Sequence, residues 1–145
     1  HLRVGAVEHV GSTAVPGLAA KPILDLQASV AALDVADDVA AVLAEHDWHY
    51  VPPVLDHRPY RRFFVKVANG HRTAHLHLLA ADGDRWKDQL AFRDALRADP
   101  ELLRAYARLK AQLAERHRDD REAYTAGKSR FVREVIGRGT DPDTT

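Results

Sequence analysis

The sequence predicts an α/β (α+β) fold in which strands dominate the first half and helices the second. Three observations lead there. Apolar and polar residues alternate with the two-residue period of a strand through residues 23–30. Asn69-Gly70 joins two further strand-like runs as a tight hairpin turn. From Asp99-Pro100 onward, leucines recur at helical spacing behind a cap residue and a first-turn proline.

Taken in order, residues 4–10 form an apolar run that admits Glu8 and His9 and breaks at Gly11, which reads as a first strand. Residues 23–30 give the second. Asp34 is placed to cap a helix reaching about His46, with Val35, Val39, Val42 and Leu43 on one face. Residues 48–51 make a short strand that Pro52-Pro53 ends, and a loop follows through Asp56-His57-Arg58-Pro59. The hairpin then pairs residues 61–68 with residues 71–80. Asp82-Gly83-Asp84 turns the chain into a helix over about residues 85–97. In the next helix Leu102, Leu103, Tyr106, Leu109 and Leu113 form an apolar stripe. A last helix, over about residues 121–136, is expected to be interrupted near Gly127, and the tail 138–145 to be frayed.

Composition narrows the function. At 145 residues and 46% hydrophobic content, one domain over 1–145 is expected to bury a core. The 21 Lys and Arg balance the 21 Asp and Glu, so no global field draws nucleic acid or an anionic membrane, and any phosphate affinity is local. No apolar run approaches the ~20 residues of a membrane span, and no charged-then-apolar leader is present. A cytoplasmic location is expected. Cysteine is absent, which excludes thiol catalysis. Methionine is absent too and the chain opens His1-Leu2, so a fragment lacking an N-terminal segment is expected.

Chemistry concentrates between the first two strands. Gly11 removes the Cβ that keeps a phosphate from the backbone, while Ser12 and Thr13 offer hydroxyls and N–H donors. A short loop later, Asp25 stands inside an apolar strand, where a carboxylate costs several kcal/mol unless it is paired or holds a cation. Asp25 and Gln27 project to one face of their strand, as do His75 and His77 of theirs. The two imidazoles either join Asp25 in a site or are half-buried groups satisfied by polar neighbours. Histidine-triad nucleotide hydrolases also carry a His-x-His strand, but Leu79 stands where their third histidine belongs.

The block His9-Val10-Gly11-Ser12-Thr13-Ala14-Val15-Pro16-Gly17-Leu18-Ala19-Ala20-Lys21-Pro22, followed by Ile23-Leu24-Asp25, resembles the signature of the GrpB-like family, a branch of the polymerase-beta-type nucleotidyltransferase superfamily. His75-Leu76-His77-Leu78, Phe92-Arg93-Asp94, Asp99-Pro100-Glu101 and Tyr124-Thr125-Ala126-Gly127-Lys128-Ser129 resemble further family blocks in the same order. The resemblance implies a mixed sheet carrying the Gly-Ser turn and the aspartate strand, with helices packed behind it. It also implies transfer of a nucleotidyl group from a nucleoside triphosphate to a small-molecule or protein hydroxyl, with Mg2+ or Mn2+ as cofactor.

In that reading Gly11, Ser12 and Thr13 hold phosphates, with Lys21, Arg93 and Lys128 as cationic helpers. Asp25, Gln27, His75 and His77 surround the metal, and His75 or His77 serves as a base. The chain departs from the superfamily twice: Gln27 stands where a second carboxylate is needed, and His75 and His77 occupy the strand that carries the third. Oxygen-loving magnesium favours neither replacement, so one metal or none is expected. The alternative is a non-catalytic nucleotide- or partner-binding module, with a dephospho-CoA kinase domain, fused or separate, as a candidate partner. Ordinary solvated surface is the simpler reading of Lys21 and Lys110.

Overall fold

The structure is a computed structural model and describes residues 4–18 and 22–139. The chain runs β1 (Val4–Val10), a 3-10 turn (Ser12–Ala14), β2 (Leu24–Val30), a second 3-10 turn (Leu33–Val35), α1 (Ala36–Ala44) and β3 (Trp48–Val51). It continues through α2 (Pro53–Asp56), β4 (Arg61–Ala68), β5 (His71–Ala80), α3 (Asp84–Ala98), α4 (Pro100–Arg116) and α5 (Arg121–Gly139). The mixed α/β class is therefore as expected. Packing within the chain forms two compact units, divided after Leu90.

The first unit is built on a five-stranded sheet in the order β1-β2-β5-β4-β3, with β2 and β5 parallel and every other pair antiparallel. The β4–β5 hairpin turns at Asn69 and Gly70, whose φ of 53° and 77° are the left-handed values that an Asn-Gly turn supplies at least cost. Side chains alternate across the pleat. Ala28, Val30, Phe64, Leu76 and Leu78 face α1, whose Ala36 and Val39 complete a buried core. Tyr50 stacks on Phe64 at 4.9 Å between ring centroids. The opposite face carries Asp25, Gln27, Arg61, Phe63, His75 and His77.

Local expectations were corrected at three places in this unit. Asp34 does not cap α1; it lies inside the 3-10 turn before it, and Val35 occupies the cap position with no side-chain bond. Val42 is half exposed, because Ala36 and Ala40 share the buried face with Val39 and Leu43 in its stead. Pro52-Pro53 ends β3 but also starts the helical turn α2, a place where a missing N–H costs nothing.

In the second unit Phe92, Tyr106 and Phe131 form an aromatic cluster, with Tyr106 stacked on Phe131 at 5.3 Å and set edge-on to Phe92 at 5.1 Å. Asp99 caps α4 as its sequence promises, its Oδ1 accepting from the N–H groups of Glu101 and Leu102 at 3.0 and 3.2 Å. The expected interruption of α5 at Gly127 does not occur. Instead Gly127 admits a neighbour: a Cβ there would meet Leu113 Cδ2 at 2.7 Å, so this glycine serves α4–α5 packing rather than bending. The tail residues 140–145 lie outside the described residues.

Candidate functional site

The site begins where β1 ends. Val10 pairs with Asp25 across the β1–β2 ladder, and Gly11 turns away with φ +74°. A side chain at residue 11 would be strained by that dihedral and would also strike Asp25, its Cβ lying 2.7 Å from Oδ2. The glycine is required by the aspartate beneath it.

Parallel pairing of β2 with β5 sets Asp25 beside His75 and Gln27 beside His77. Asp25 Oδ1 lies 3.4 Å from His75 Nδ1 and 3.6 Å from His77 Nε2. Burial pushes the Asp25 carboxyl up, but the N–H groups and positive charge density of the two imidazoles outweigh it, leaving its pKa below the ordinary carboxylate value. Burial also lowers the pKa of His75, against the opposing pull of Asp25. His75 thus presents Nδ1–H to the carboxylate, and its buried Nε2 has no hydrogen-bond partner.

His77 is held from the other side. Arg61 Nη1 donates to His77 Nδ1 at 2.7 Å, while Arg61 Nε and Nη2 fork onto Asp56 at 2.9 and 2.6 Å. Arg61 and Asp56 are both buried, and the Arg61 bond holds the Asp56 carboxyl below its usual range. The guanidinium also lies 4.1 Å from the centre of the Phe63 ring. A polar chain therefore runs Asp56, Arg61, His77, Asp25 across the sheet face.

Gln27 is fully buried, donating through Nε2 to the Trp86 carbonyl at 3.2 Å, with Oε1 unpartnered. Next to it opens a cavity of about 210 Å³, whose lining includes Gly11, Asp25, Tyr60, Arg61, His77 and Arg85. The Arg85 guanidinium lies 4.0 Å from the centre of the Tyr60 ring.

Of the residues expected at the site, Gly11, Asp25, Gln27, His75 and His77 come together on one face. Ser12 and Thr13 sit in the 3-10 turn outside the cavity lining, and Thr13 Oγ1 is engaged by His9 Nε2 at 2.8 Å. Lys21 lies outside the described residues. Arg93 and Lys128 belong to the second unit, where Arg93 pairs with Asp94 at 2.9 Å and Lys128 lies 5.2 Å from the Tyr124 ring. Sequence reasoning missed Asp56, Tyr60, Arg61 and Arg85. A signal for Arg61 existed: strand period places it on the same face as Phe63 and Val65, an odd position for a cation without a partner.

The donors do not fit a two-magnesium centre. One carboxylate is present, Gln27 is tied to Trp86, and no group of three His, Asp or Glu side chains is disposed to hold a metal among the described residues. His77 is unsuitable through Nε2, since the donor-only guanidinium at Nδ1 leaves the imidazole proton on Nε2.

Comparison with known proteins agrees with this architecture. A solved structure, the conserved protein GrpB from Enterococcus faecalis, superimposes with a TM-score of 0.76 at 32% identity, covering 94% of this chain and 82% of that one. A UPF0157 protein of Pseudomonas aeruginosa is 42% identical over 146 residues, covering 91% of this chain, which spans only 54% of that protein's length. A dephospho-CoA kinase of Mycolicibacterium paratuberculosis is 30% identical over 161 residues, covering 93% of this chain and 39% of its own. A family model described as GrpB protein matches residues 1–138, and with the shared fold this places the chain in the GrpB family.

Proposed function

We propose that this chain is a nucleotide-binding module on a nucleotidyltransferase-like domain, taking a nucleoside triphosphate in the cavity beside Gly11. The observation that carries the reading is the wall of that cavity of about 210 Å³, where the Gly11 turn and the Arg85 guanidinium meet, with Arg61 already committed to Asp56 and His77. Glycine lets a ligand approach the backbone, and arginine recognises phosphate in a fork. The replacement of a second carboxylate by Gln27 supports binding rather than two-metal transfer. The likeness to part of a dephospho-CoA kinase supports a module working beside a phosphate-transferring enzyme.

The test is thermal denaturation with each of the four common nucleoside triphosphates, with magnesium or with a chelator. A ligand at a hundred times its dissociation constant adds about 2.7 kcal/mol, an easily read rise in Tm. At least one triphosphate is expected to give that rise in chelator. No rise with any of them would overturn the reading.

A second reading, nucleotidyl transfer with a single Mg2+ or Mn2+ at Asp25, is favoured by the lowered pKa that keeps this carboxylate ionised at the cavity wall. It predicts pyrophosphate release from a nucleoside triphosphate as the nucleotidyl group passes to an acceptor hydroxyl, a release that requires magnesium or manganese and is lost in Asp25→Asn. Binding without any such release assigns the chain to the module.

A further inference from the structure

The two guanidiniums at the cavity are not equivalent. Arg61 is buried, its fork neutralised by Asp56 and its remaining Nη1 engaged by His77. It has little left to offer a ligand. Arg85 stands at the start of α3, exposed, and no carboxylate comes within ion-pair distance of it among the described residues. It nevertheless has a defined position, because its guanidinium is laid over the Tyr60 ring at 4.0 Å.

Stacking fixes the plane of a guanidinium and leaves its N–H edges outward. Those edges match two phosphoryl oxygens at once, and a fork already held in place loses less side-chain freedom on binding. Asp25, ionised on another part of the wall, disfavours an anion beside itself and so biases a phosphate chain toward Arg85. A superfamily active site neutralises the phosphate charge with metal ions, for which this chain lacks the carboxylates.

We infer that Tyr60 and Arg85 form a preorganised clamp that takes the phosphate chain of a nucleotide by a guanidinium fork, without a divalent cation. The inference rests on the reading that the cavity binds a nucleotide, and it names the group that does the binding.

Isothermal titration in chelator tests it, with inorganic tripolyphosphate and each of the four nucleoside triphosphates as probes. The parent chain is compared with Arg85→Gln, Tyr60→Phe and Tyr60→Leu, and circular dichroism melts confirm that each variant folds. Arg85→Gln is expected to weaken binding about tenfold or more, as for loss of a charged hydrogen bond. Tyr60→Phe keeps the ring and binds like the parent, whereas Tyr60→Leu binds more weakly. Nucleotide binding that ignores Arg85→Gln, or that needs a divalent cation, overturns the clamp and leaves the nucleotide reading standing. Tripolyphosphate binding sensitive to Arg85→Gln, with no nucleotide bound, shows a guanidinium fork for polyphosphate but overturns the nucleotide reading and, with it, the clamp as a nucleotide site. Failure of every probe to bind the parent, in chelator and with magnesium alike, removes both.

Discussion

Arg61 Nη1 donates to His77 Nδ1 across 2.7 Å, and this bond decides what His77 can do. A guanidinium has only donors, so Nδ1 must be the lone-pair nitrogen and Nε2 carries the proton that faces Asp25. His77 is thereby a hydrogen-bond donor to the site. Long-range 15N–1H correlation spectra are expected to show His77 as the Nε2–H tautomer in the parent and a mixture of tautomers in Arg61→Met. A proton found on Nδ1 in the parent would contradict the arrangement.

The Asp56–Arg61 pair has side chains only 5% and 9% exposed. Removing one partner leaves the other charge buried and uncompensated, which costs about 3–5 kcal/mol. Asp56→Ala is therefore expected to lose stability on that scale in urea denaturation. It should also disturb the His77 imidazole signals, since Arg61 would lose its anchor. A loss under about 1 kcal/mol would mean that the pair is not shielded from water.

Gly11→Ala meets two obstacles: a left-handed dihedral at +74° and a contact of 2.7 Å with Asp25 Oδ2. Backbone strain of this kind costs about 1–3 kcal/mol. Because the nearest atom is the carboxylate itself, the variant is expected to shift Asp25 and to weaken any ligand of the cavity more than it weakens the fold. Titration calorimetry and denaturation, run side by side, separate the two effects.

The depressed pKa of His75 fixes the sign of a pH effect. In the unfolded chain this imidazole takes up a proton near 6.5, while in the folded chain it resists until lower pH. Between those values the unfolded state binds more protons, so stability falls as pH drops through 6.5 and levels off below the folded pKa. His75→Gln is expected to flatten that part of the curve of Tm against pH. An unchanged slope would assign the effect to other histidines.

Much of this molecule was legible locally. Asn69-Gly70 specified its hairpin and Asp99-Pro100 its helix start, because turn and cap signals are satisfied by atoms a few residues away. Gly11 and Asp25 were each singled out in the sequence, the glycine for a phosphate and the aspartate for a cation, but the contact that makes the glycine necessary to the aspartate is visible only in the structure. Gly127 was misread for the same reason: a glycine inside a helix sequence does not reveal the Leu113 side chain that needs its space.

By itself, then, the sequence determined the five strands, the longer helices and which side chains share a strand face. The tertiary structure alone decided their company: that β2 lies parallel to β5 with Asp25 against His75, that Gln27 reaches Trp86, that Arg61 joins Asp56 to His77, and that Arg85 lies on Tyr60. Strand order and register are set by how whole faces are buried together, a sum over distant residues that no short stretch of chain encodes.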